Sequence, residues 1–195
     1  MNYINHMQEI TRTHGYLELI FGPMFSGKTT YLCNIYKQMI LCNHTPLVIN
    51  YIDDVRYSDD NKQLFTHDHR AIPCMPVRKL SDISENILAS HSIILINEGQ
   101  FFIDLCEFVQ SQLCKNKQIY VCGLDGDFKQ EKFGNIIDLI PKCEKITKLN
   151  SICIVCKDGT HAPFTYRKTT EQTQTIIGVD SYIPVCRKCL NNFNC

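Results

Sequence analysis

The chain has 195 residues, and its 20 Lys and Arg balance its 20 Asp and Glu, so the formal net charge is zero. This length predicts one substantial domain with room for a small second module. A neutral chain lacks the basic surface with which nucleic-acid-binding domains displace counterions, so we expect no nucleic-acid partner. No apolar stretch approaches the ~20 residues of a membrane span, and the first residues do not resemble an export signal, which favours a cytoplasmic protein without a membrane partner.

Between residue 16 and about residue 150, apolar runs alternate with amphipathic stretches. Four runs have almost no charge, as in strands buried on both faces of a parallel sheet: residues 16–21, 46–51, 92–97 and 118–124. Three stretches place apolar residues at helical spacing: residues 28–42, 81–90 and 101–114. This alternation predicts an α/β domain built from right-handed crossovers.

A phosphate-binding motif follows the first predicted strand and precedes the first predicted helix. It has the form G-x-x-x-x-G-K-[ST] and consists of Gly22, Pro23, Met24, Phe25, Ser26, Gly27, Lys28 and Thr29. Its glycines let backbone N–H groups point at a phosphate beside a helix N-terminus. Lys28 would reach the β- and γ-phosphates and Thr29 would bind Mg²⁺, which predicts a P-loop protein that binds ATP. The competing interpretation is a glycine-bearing turn with an incidental lysine.

A second polar segment, N-E-G-Q-F-F, begins at the end of the third predicted strand. In P-loop enzymes a carboxylate at a neighbouring strand end holds Mg²⁺, and another carboxylate can orient or deprotonate the nucleophile. Asn97 occupies the metal position although it is neutral, and Glu98 is the candidate general base. The alternative is that Glu98 is an acid favoured by the dipole of a following helix.

Four of the 12 cysteines are regularly arranged, as two C-x-x-C pairs: Cys153, Cys156, Cys186 and Cys189. Four thiolates form a closed tetrahedral site for structural Zn²⁺. The interval between the pairs exceeds the usual ~15–20 residues, which suits a loop held at its base by the metal. Two redox pairs or coincidental buried thiols are disfavoured, because no thioredoxin-like strand and helix surround them.

The sequence changes character near residue 150, where helix-length periodicity ends and short runs separated by turn residues begin. We expect a flexible N-terminal extension at residues 1–15, a P-loop nucleotide-binding domain at residues 16–150 and a zinc-binding domain at residues 151–195. The expected fold class is a P-loop NTPase-like α/β fold, with a mostly parallel sheet flanked by helices and this small domain appended.

With these motifs in this order, the chain resembles the type II thymidine kinases, a family of small cellular and viral deoxynucleoside kinases. The resemblance rests on G-P-M-F-S-G-K-T-T, E-G-Q-F-F and the cysteine pairs, together with D-x-R-Y at residues 54–57, T-H-D at 66–68 and G-L-D-G-x-F at 123–128. It implies transfer of the γ-phosphoryl group of ATP to the 5′-hydroxyl of thymidine or deoxyuridine. It also implies a homotetramer inhibited by the triphosphate of thymidine, dTTP.

The resemblance assigns roles to individual residues. Glu98 matches the general base, and the ATP and metal end of the site includes Asp54, Arg56, Asn97 and Gln100. The residues that match the nucleoside pocket, including a lasso-like loop whose main chain binds the base, are Leu124, Phe128, Thr165, Gln174, Thr175, Ile176, Ile177, Gly178 and Tyr182. Two departures stand out, since the family usually has Asp at position 97 and often has paired glycines where this chain has Ile177 and Gly178.

Two functions from other classes remain open on sequence grounds. One is a P-loop ATPase or zinc-bearing module associated with nucleic acid, which the neutral charge disfavours. The other is a kinase-like nucleotide-binding protein whose activity is weakened, motivated by Asn97. Thymidine-dependent release of ADP from ATP distinguishes the kinase from both.

Overall fold

The computed structural model describes residues 14–54, 62–65, 71–171, 173–174 and 181–194. Five residues with predicted roles lie outside these ranges: Arg56, Thr175, Ile176, Ile177 and Gly178. Nearly all of the predicted N-terminal extension lies outside them too. None of the helices in the described ranges is long and apolar enough to cross a membrane.

The large domain is built on a parallel sheet with helices on both faces. Its strands are β1 (Tyr16–Phe21), β2 (Leu47–Tyr51), β3 (Gln63–Phe65), β4 (Ala71–Pro73), β5 (Met75–Val77), β6 (Ile93–Ile96), β7 (Gln118–Gly123) and β8 (Lys145–Lys148). Its helices are α1 (Lys28–Leu41), α2 (Glu85–Ala89) and α3 (Leu105–Cys114). Six strands form the sheet in the order β5-β2-β6-β7-β1-β8, and every pairing in it is parallel. This confirms the predicted α/β fold class.

The apolar side chains of the sheet divide between two buried layers. In β1, Leu17 and Leu19 point into a cluster that contains Leu105 and Val109 of α3. On the other face, Ile20 packs in a cluster with residues of α1, including Leu32. Successive side chains of a strand point to opposite faces, so a run without charge can fill both layers.

The strand and helix predictions are confirmed for the central elements and need correction at the edges. Residues 81–84 precede α2 rather than belong to it, and α3 begins at Leu105 rather than at residue 101 because a 3₁₀ turn, Gly99–Phe101, comes first. Strands β5 and β8 were not predicted. They are the edge strands, where Pro76 of β5 and the two lysines of β8 are compatible with partial exposure.

One polar side chain is completely buried within β1. Glu18 accepts hydrogen bonds from Tyr31 Oη of α1 at 2.9 Å and from Thr147 Oγ1 of β8 at 2.7 Å. Lys145 Nζ lies 3.2 Å from the same carboxylate. A buried charge needs such partners, so Glu18 links β1 to α1 and to the edge strand β8.

The C-terminal segment forms two small antiparallel ribbons and a helix. Its strands are β9 (Ser151–Ile152), β10 (His161–Ala162), β11 (Phe164–Arg167) and β12 (Tyr182–Val185), and its helix is α4 (Arg187–Asn194). The segment has its own apolar cluster, which includes Ala162, Val185 and Leu190. The sequence predicted no helix-length element after residue 150, and α4 shows that this prediction is wrong. The helix lacks a recognisable apolar stripe because its buried face consists of little more than Cys189 and Leu190. The domain boundaries themselves stay a prediction.

Candidate active site

The phosphate-binding motif forms the turn between β1 and α1. Gly27 adopts a left-handed conformation with φ of 83° and precedes the first residue of α1. At Gly22, a Cβ atom would lie 2.4 Å from Ser26 Oγ and 2.7 Å from Leu149 O, so only glycine fits. These positions explain why both motif glycines are required for this turn.

Two side chains of the motif are buried beside it. Lys28 is 9% exposed, and its Nζ donates to Pro23 O at 2.8 Å. The buried Ser26 Oγ has no hydrogen-bond partner among the residues that the structure describes. A buried lysine and an unsatisfied hydroxyl beside a helix N-terminus suit an anionic ligand such as a phosphate.

Glu98 lies directly after β6 in a left-handed conformation, with φ of 54°. Its side chain is 7% exposed and accepts a hydrogen bond from Gln100 Nε2 at 2.6 Å. Gln100 Oε1 in turn accepts from the backbone N–H of Leu124 at 3.0 Å, which fixes the orientation of the amide group. Only a three-residue 3₁₀ turn follows Glu98, so a helix dipole accounts poorly for a carboxylate here.

Asn97 is 1% exposed, and its amide group is paired on both sides. Its Nδ2 donates to Asn50 Oδ1 at 2.8 Å, and its Oδ1 accepts from Cys122 Sγ at 3.0 Å. Burial, assisted by the charge of Glu98, raises the pKa of the Cys122 thiol to about 12, so the thiol is protonated and can donate. Asn50 Nδ2 lies 3.4 Å from Asp54 Oδ2, so the chain of contacts leads to the predicted metal-binding carboxylate.

The C-terminal ribbons contact the phosphate-binding turn. The backbone N–H of Met24 donates to Thr165 Oγ1 of β11 at 3.0 Å. A cavity of about 560 Å³ adjoins this contact and is lined by Phe25, Ile152, Tyr182 and neighbouring residues. Thr165 therefore contacts the motif directly, and Tyr182 lines the same cavity as Phe25 of the motif; that both belong to one substrate site stays a prediction.

Sequence reasoning missed Arg167, which lies 3% exposed at the end of β11. Its Cζ atom lies 3.7 Å from the ring centroid of Phe128 and 5.0 Å from that of Tyr182. Gln174 lies close by, and its Nε2 donates to Asp127 Oδ2 at 2.9 Å. The available signal was the two-residue period of a strand, which places Arg167 on the same face as Thr165.

The four paired cysteines converge, with their Sγ atoms all within 4.8 Å of one another. Cys156 Sγ lies 3.7 Å from Cys186 Sγ and 3.5 Å from Cys189 Sγ. Four thiolates about 2.3 Å from a tetrahedral Zn²⁺ are about 3.8 Å apart, so this spacing fits the metal. Burial acts to raise the pKa of Cys153, but hydrogen bonds from the backbone of Cys156, Cys186 and Val155 outweigh it and lower the pKa to about 6, which favours a thiolate ligand.

A P-loop, a carboxylate at a nearby strand end and a four-cysteine cluster define a P-loop nucleotide-binding protein with a potential metal site in its C-terminal segment. Comparison with known proteins gives the family. The family model described as thymidine kinase matches residues 15–190. The chain belongs to the thymidine kinase family, which confirms the resemblance.

Individual relatives match most of the chain. Thymidine kinase 1 of Dictyostelium discoideum is 39% identical over 186 residues, which cover 94% of this chain and 81% of the relative. The thymidine kinase of Yaba monkey tumor virus (strain VR587) is 40% identical over 92% of this chain and 97% of its own length. The cytosolic thymidine kinase of Homo sapiens is 37% identical over 92% of this chain and 74% of its own length.

Proposed function

We propose that the protein is an ATP-dependent thymidine kinase, which transfers the γ-phosphoryl group of ATP to the 5′-hydroxyl of thymidine to give dTMP and also accepts deoxyuridine. The observation that carries the proposal is the shared position of the two chemical groups. The P-loop follows β1 and Glu98 follows β6, so both lie at the carboxyl edge of one parallel sheet, separated by β7. Membership of the thymidine kinase family supports the same reaction.

Glu98 is the proposed general base. It takes the proton of the 5′-hydroxyl as the bond from the 5′-oxygen to the γ-phosphorus forms and the bond from that phosphorus to the bridging oxygen of ADP breaks. Gln100 holds one carboxylate oxygen of Glu98 by its hydrogen bond at 2.6 Å.

At the phosphate end, backbone N–H groups of the motif after Met24 and the ammonium of Lys28 stabilise the charge of the transferring group. Thr29 and Asp54 supply a hydroxyl and a carboxylate, a donor set that suits Mg²⁺ shared with nucleotide phosphates, and Arg56 completes this end. Mg²⁺ supplies charge neutralisation between the β- and γ-phosphates when it is bound. Asn97 offers an amide oxygen in place of the usual carboxylate.

At the nucleoside end, the base lies between Leu124, Phe128, Thr165 and Tyr182. The main chain of residues 174–178 binds the edge of the base, because a planar imide presents an acceptor, a donor and an acceptor that an extended loop can match. The four cysteines would hold a structural Zn²⁺, and because they lie just after β9 and at the start of α4, the metal would fix the two ends of the segment that contains this substrate loop.

We further propose that the enzyme acts in the cytoplasm as a homotetramer and is inhibited by dTTP. Relatives named cytosolic support the location, and the tetramer and the inhibition by dTTP rest on the resemblance to the family. Size-exclusion chromatography with light scattering tests the tetramer. Inhibition that increases with dTTP and is relieved by thymidine tests the regulation.

The decisive experiment compares three purified proteins in an assay of ADP release that requires an added nucleoside. The wild type should release ADP with thymidine and deoxyuridine but little with deoxycytidine, whose base edge carries an amino donor. Glu98→Gln keeps the size and the partner Gln100 but cannot take a proton, so kcat should fall roughly 10²- to 10⁴-fold while ATP still binds.

Glu107→Gln is the matched control, because Glu107 is exposed on α3 and the change in charge is the same. It should retain the wild-type rate. A near-normal rate in Glu98→Gln would refute the role of Glu98, and a wild type that releases no ADP with any nucleoside would refute the kinase.

A further inference from the structure

Arg167 is a buried cation that the reaction described above does not use. It is 3% exposed and lies at the end of β11, two residues after Thr165. Within the described part of the chain, its contacts are with carbonyl and hydroxyl oxygens and with aromatic rings, and no carboxylate is among them. Its Nε has no hydrogen-bond partner among the described residues, so Nη1 and Nη2 make the hydrogen bonds that a buried charge needs, and their partners indicate the role of the residue.

The hydrogen-bond partners of Arg167 belong to the segment that follows β11. Nη1 donates to Glu171 O at 3.0 Å and to Thr173 O, and Nη2 donates to Gln174 O at 2.9 Å. Nη2 also donates to the hydroxyl of Tyr182 in β12. One guanidinium thus binds three carbonyl groups within residues 171–174, at the start of the substrate loop, and a side chain just after its end.

The flat face of Arg167 contacts a different part of the chain. Its Cζ atom lies 3.7 Å from the ring centroid of Phe128, in the loop that follows β7. A second link joins the same two segments, because Gln174 Nε2 donates to Asp127 Oδ2 at 2.9 Å. Asp127 is itself fixed, since its Oδ1 accepts from the backbone N–H groups of Lys129 and Glu131.

Only arginine suits this position. Its planar group carries donors in a fixed fork and stacks on an aromatic ring with its face at the same time. Lysine has a single donor centre and cannot reach carbonyl groups on two sides while covering a ring. The shape of the contact set, rather than the charge alone, is what the site requires.

We propose that Arg167 is a positioning residue that sets the affinity for thymidine, because it holds the start of the substrate loop against the loop that carries Phe128. This proposal rests on the proposed kinase function, since it assigns Phe128 and the residues after 173 to the nucleoside. Arg167 acts through those residues and has no part in proton or phosphoryl transfer. Its loss therefore weakens thymidine binding and leaves the ATP site intact.

Steady-state kinetics of Arg167→Lys and Arg167→Met test this role. In both variants the KM for thymidine should rise roughly 10- to 100-fold, because several hydrogen bonds to a charged group are lost. The KM for ATP should stay at the wild-type value, and kcat at saturating thymidine should fall much less than the KM rises. Protease cleavage between residues 171 and 181 should be faster in the variants and should slow only at high thymidine.

Arg187→Met is the matched control. Arg187 also covers a phenylalanine ring in the C-terminal segment, with Cζ 3.9 Å from the centroid of Phe164, but it is exposed and its hydrogen bond is to Gln130. It should keep the wild-type KM for thymidine. Zinc content and Tm identify any variant that fails to fold, and Arg167→Lys, which keeps the charge and a long side chain, decides the question if Arg167→Met does fail.

The outcomes separate the two proposals. A wild type without thymidine-dependent activity refutes the kinase function itself. An active wild type together with a folded Arg167→Lys whose KM for thymidine and protease sensitivity are unchanged overturns the role of Arg167. A rise in the KM for ATP equal to that for thymidine also overturns it, because it would indicate general loosening of the structure.

Discussion

Replacement of Asn97 by Asp tests the unusual residue at the proposed metal position. In the present protein Asn97 Nδ2 donates to Asn50 Oδ1 at 2.8 Å, in a pocket where Asn97 is 1% exposed. In Asn97→Asp, a carboxylate oxygen replaces the donor Nδ2 and faces Asn50 Oδ1 with no hydrogen between the two oxygen atoms. Turning the amide group of Asn50 would only move the mismatch, because its oxygen would then face Asp54 Oδ2, which lies 3.4 Å from Asn50 Nδ2.

The substitution should have opposite effects with and without the metal. Without Mg²⁺, a buried acceptor that lacks a donor costs about 1–3 kcal/mol, and for a chain of this size each kcal/mol lowers Tm by about 2–4 °C. With ATP and Mg²⁺, the new carboxylate can act as a further ligand. The Mg²⁺ concentration for half-maximal rate should fall about three- to tenfold, which corresponds to about 0.7–1.4 kcal/mol.

The assay is a titration of the initial rate with Mg²⁺ at saturating ATP and thymidine, together with thermal unfolding in EDTA and in Mg²⁺ with ATP. Asn97→Leu is the control, since it has a similar size, removes the same hydrogen bonds and cannot bind a metal. It should lose stability under both conditions and gain no affinity for Mg²⁺. An unchanged or higher Mg²⁺ requirement in a folded Asn97→Asp would refute the assignment of position 97 to the metal.

Two further predictions concern the cysteines. Cys186→Ser should lower the zinc content measured by atomic emission well below that of the wild type and should speed proteolysis of the C-terminal segment. The control Cys143→Ser lies outside the cluster and should keep its zinc. Equal zinc content in the two variants would contradict the four-cysteine site. The thiol of Cys122 has an ordinary pKa of 9.0 in an unfolded chain but a pKa of about 12 in the folded protein, so the wild type loses stability as the pH rises from 9 towards 12. The serine of Cys122→Ser does not titrate in this range. In urea unfolding from pH 9 to 11, the free energy of unfolding of the wild type should fall by up to about 1.4 kcal/mol more per pH unit than that of Cys122→Ser. Equal pH dependence in the two proteins would disprove a protonated thiol at Cys122.

The fold was predictable where local pattern and burial agree. Strands such as β6, with four buried apolar residues, are evident from sequence because both faces are covered. The edge strand β8 is not evident, because its four residues, K-I-T-K, include two lysines and a single apolar residue, and only pairing with β1 makes the segment a strand. Helix α4 was missed for a similar reason, since a metal-site cluster rather than an apolar stripe covers its inner face.

The same limit applies to the candidate site. The P-loop, Glu98 and the paired cysteines have fixed spacings along the chain, so the sequence alone predicts them. Asn50 and Arg167 are visible only in three dimensions. Asn50 is important because it pairs with Asn97, which follows the neighbouring strand β6. Arg167 is important because it contacts Phe128 and backbone carbonyl groups, and such carbonyl groups leave no signal in the sequence.

The close approach at Gly22 has a consequence for the architecture of the whole enzyme. The N–H of Leu149 donates to Phe21 O at 2.8 Å, and Leu149 O is, after Ser26 Oγ, the nearest atom that a side chain at position 22 would strike. Leu149 lies two residues before β9, so the C-terminal ribbons begin directly after this junction. Gly22→Ala would therefore displace the start of the C-terminal segment as well as the phosphate-binding turn, so the first glycine of the motif couples the two parts of the proposed active site.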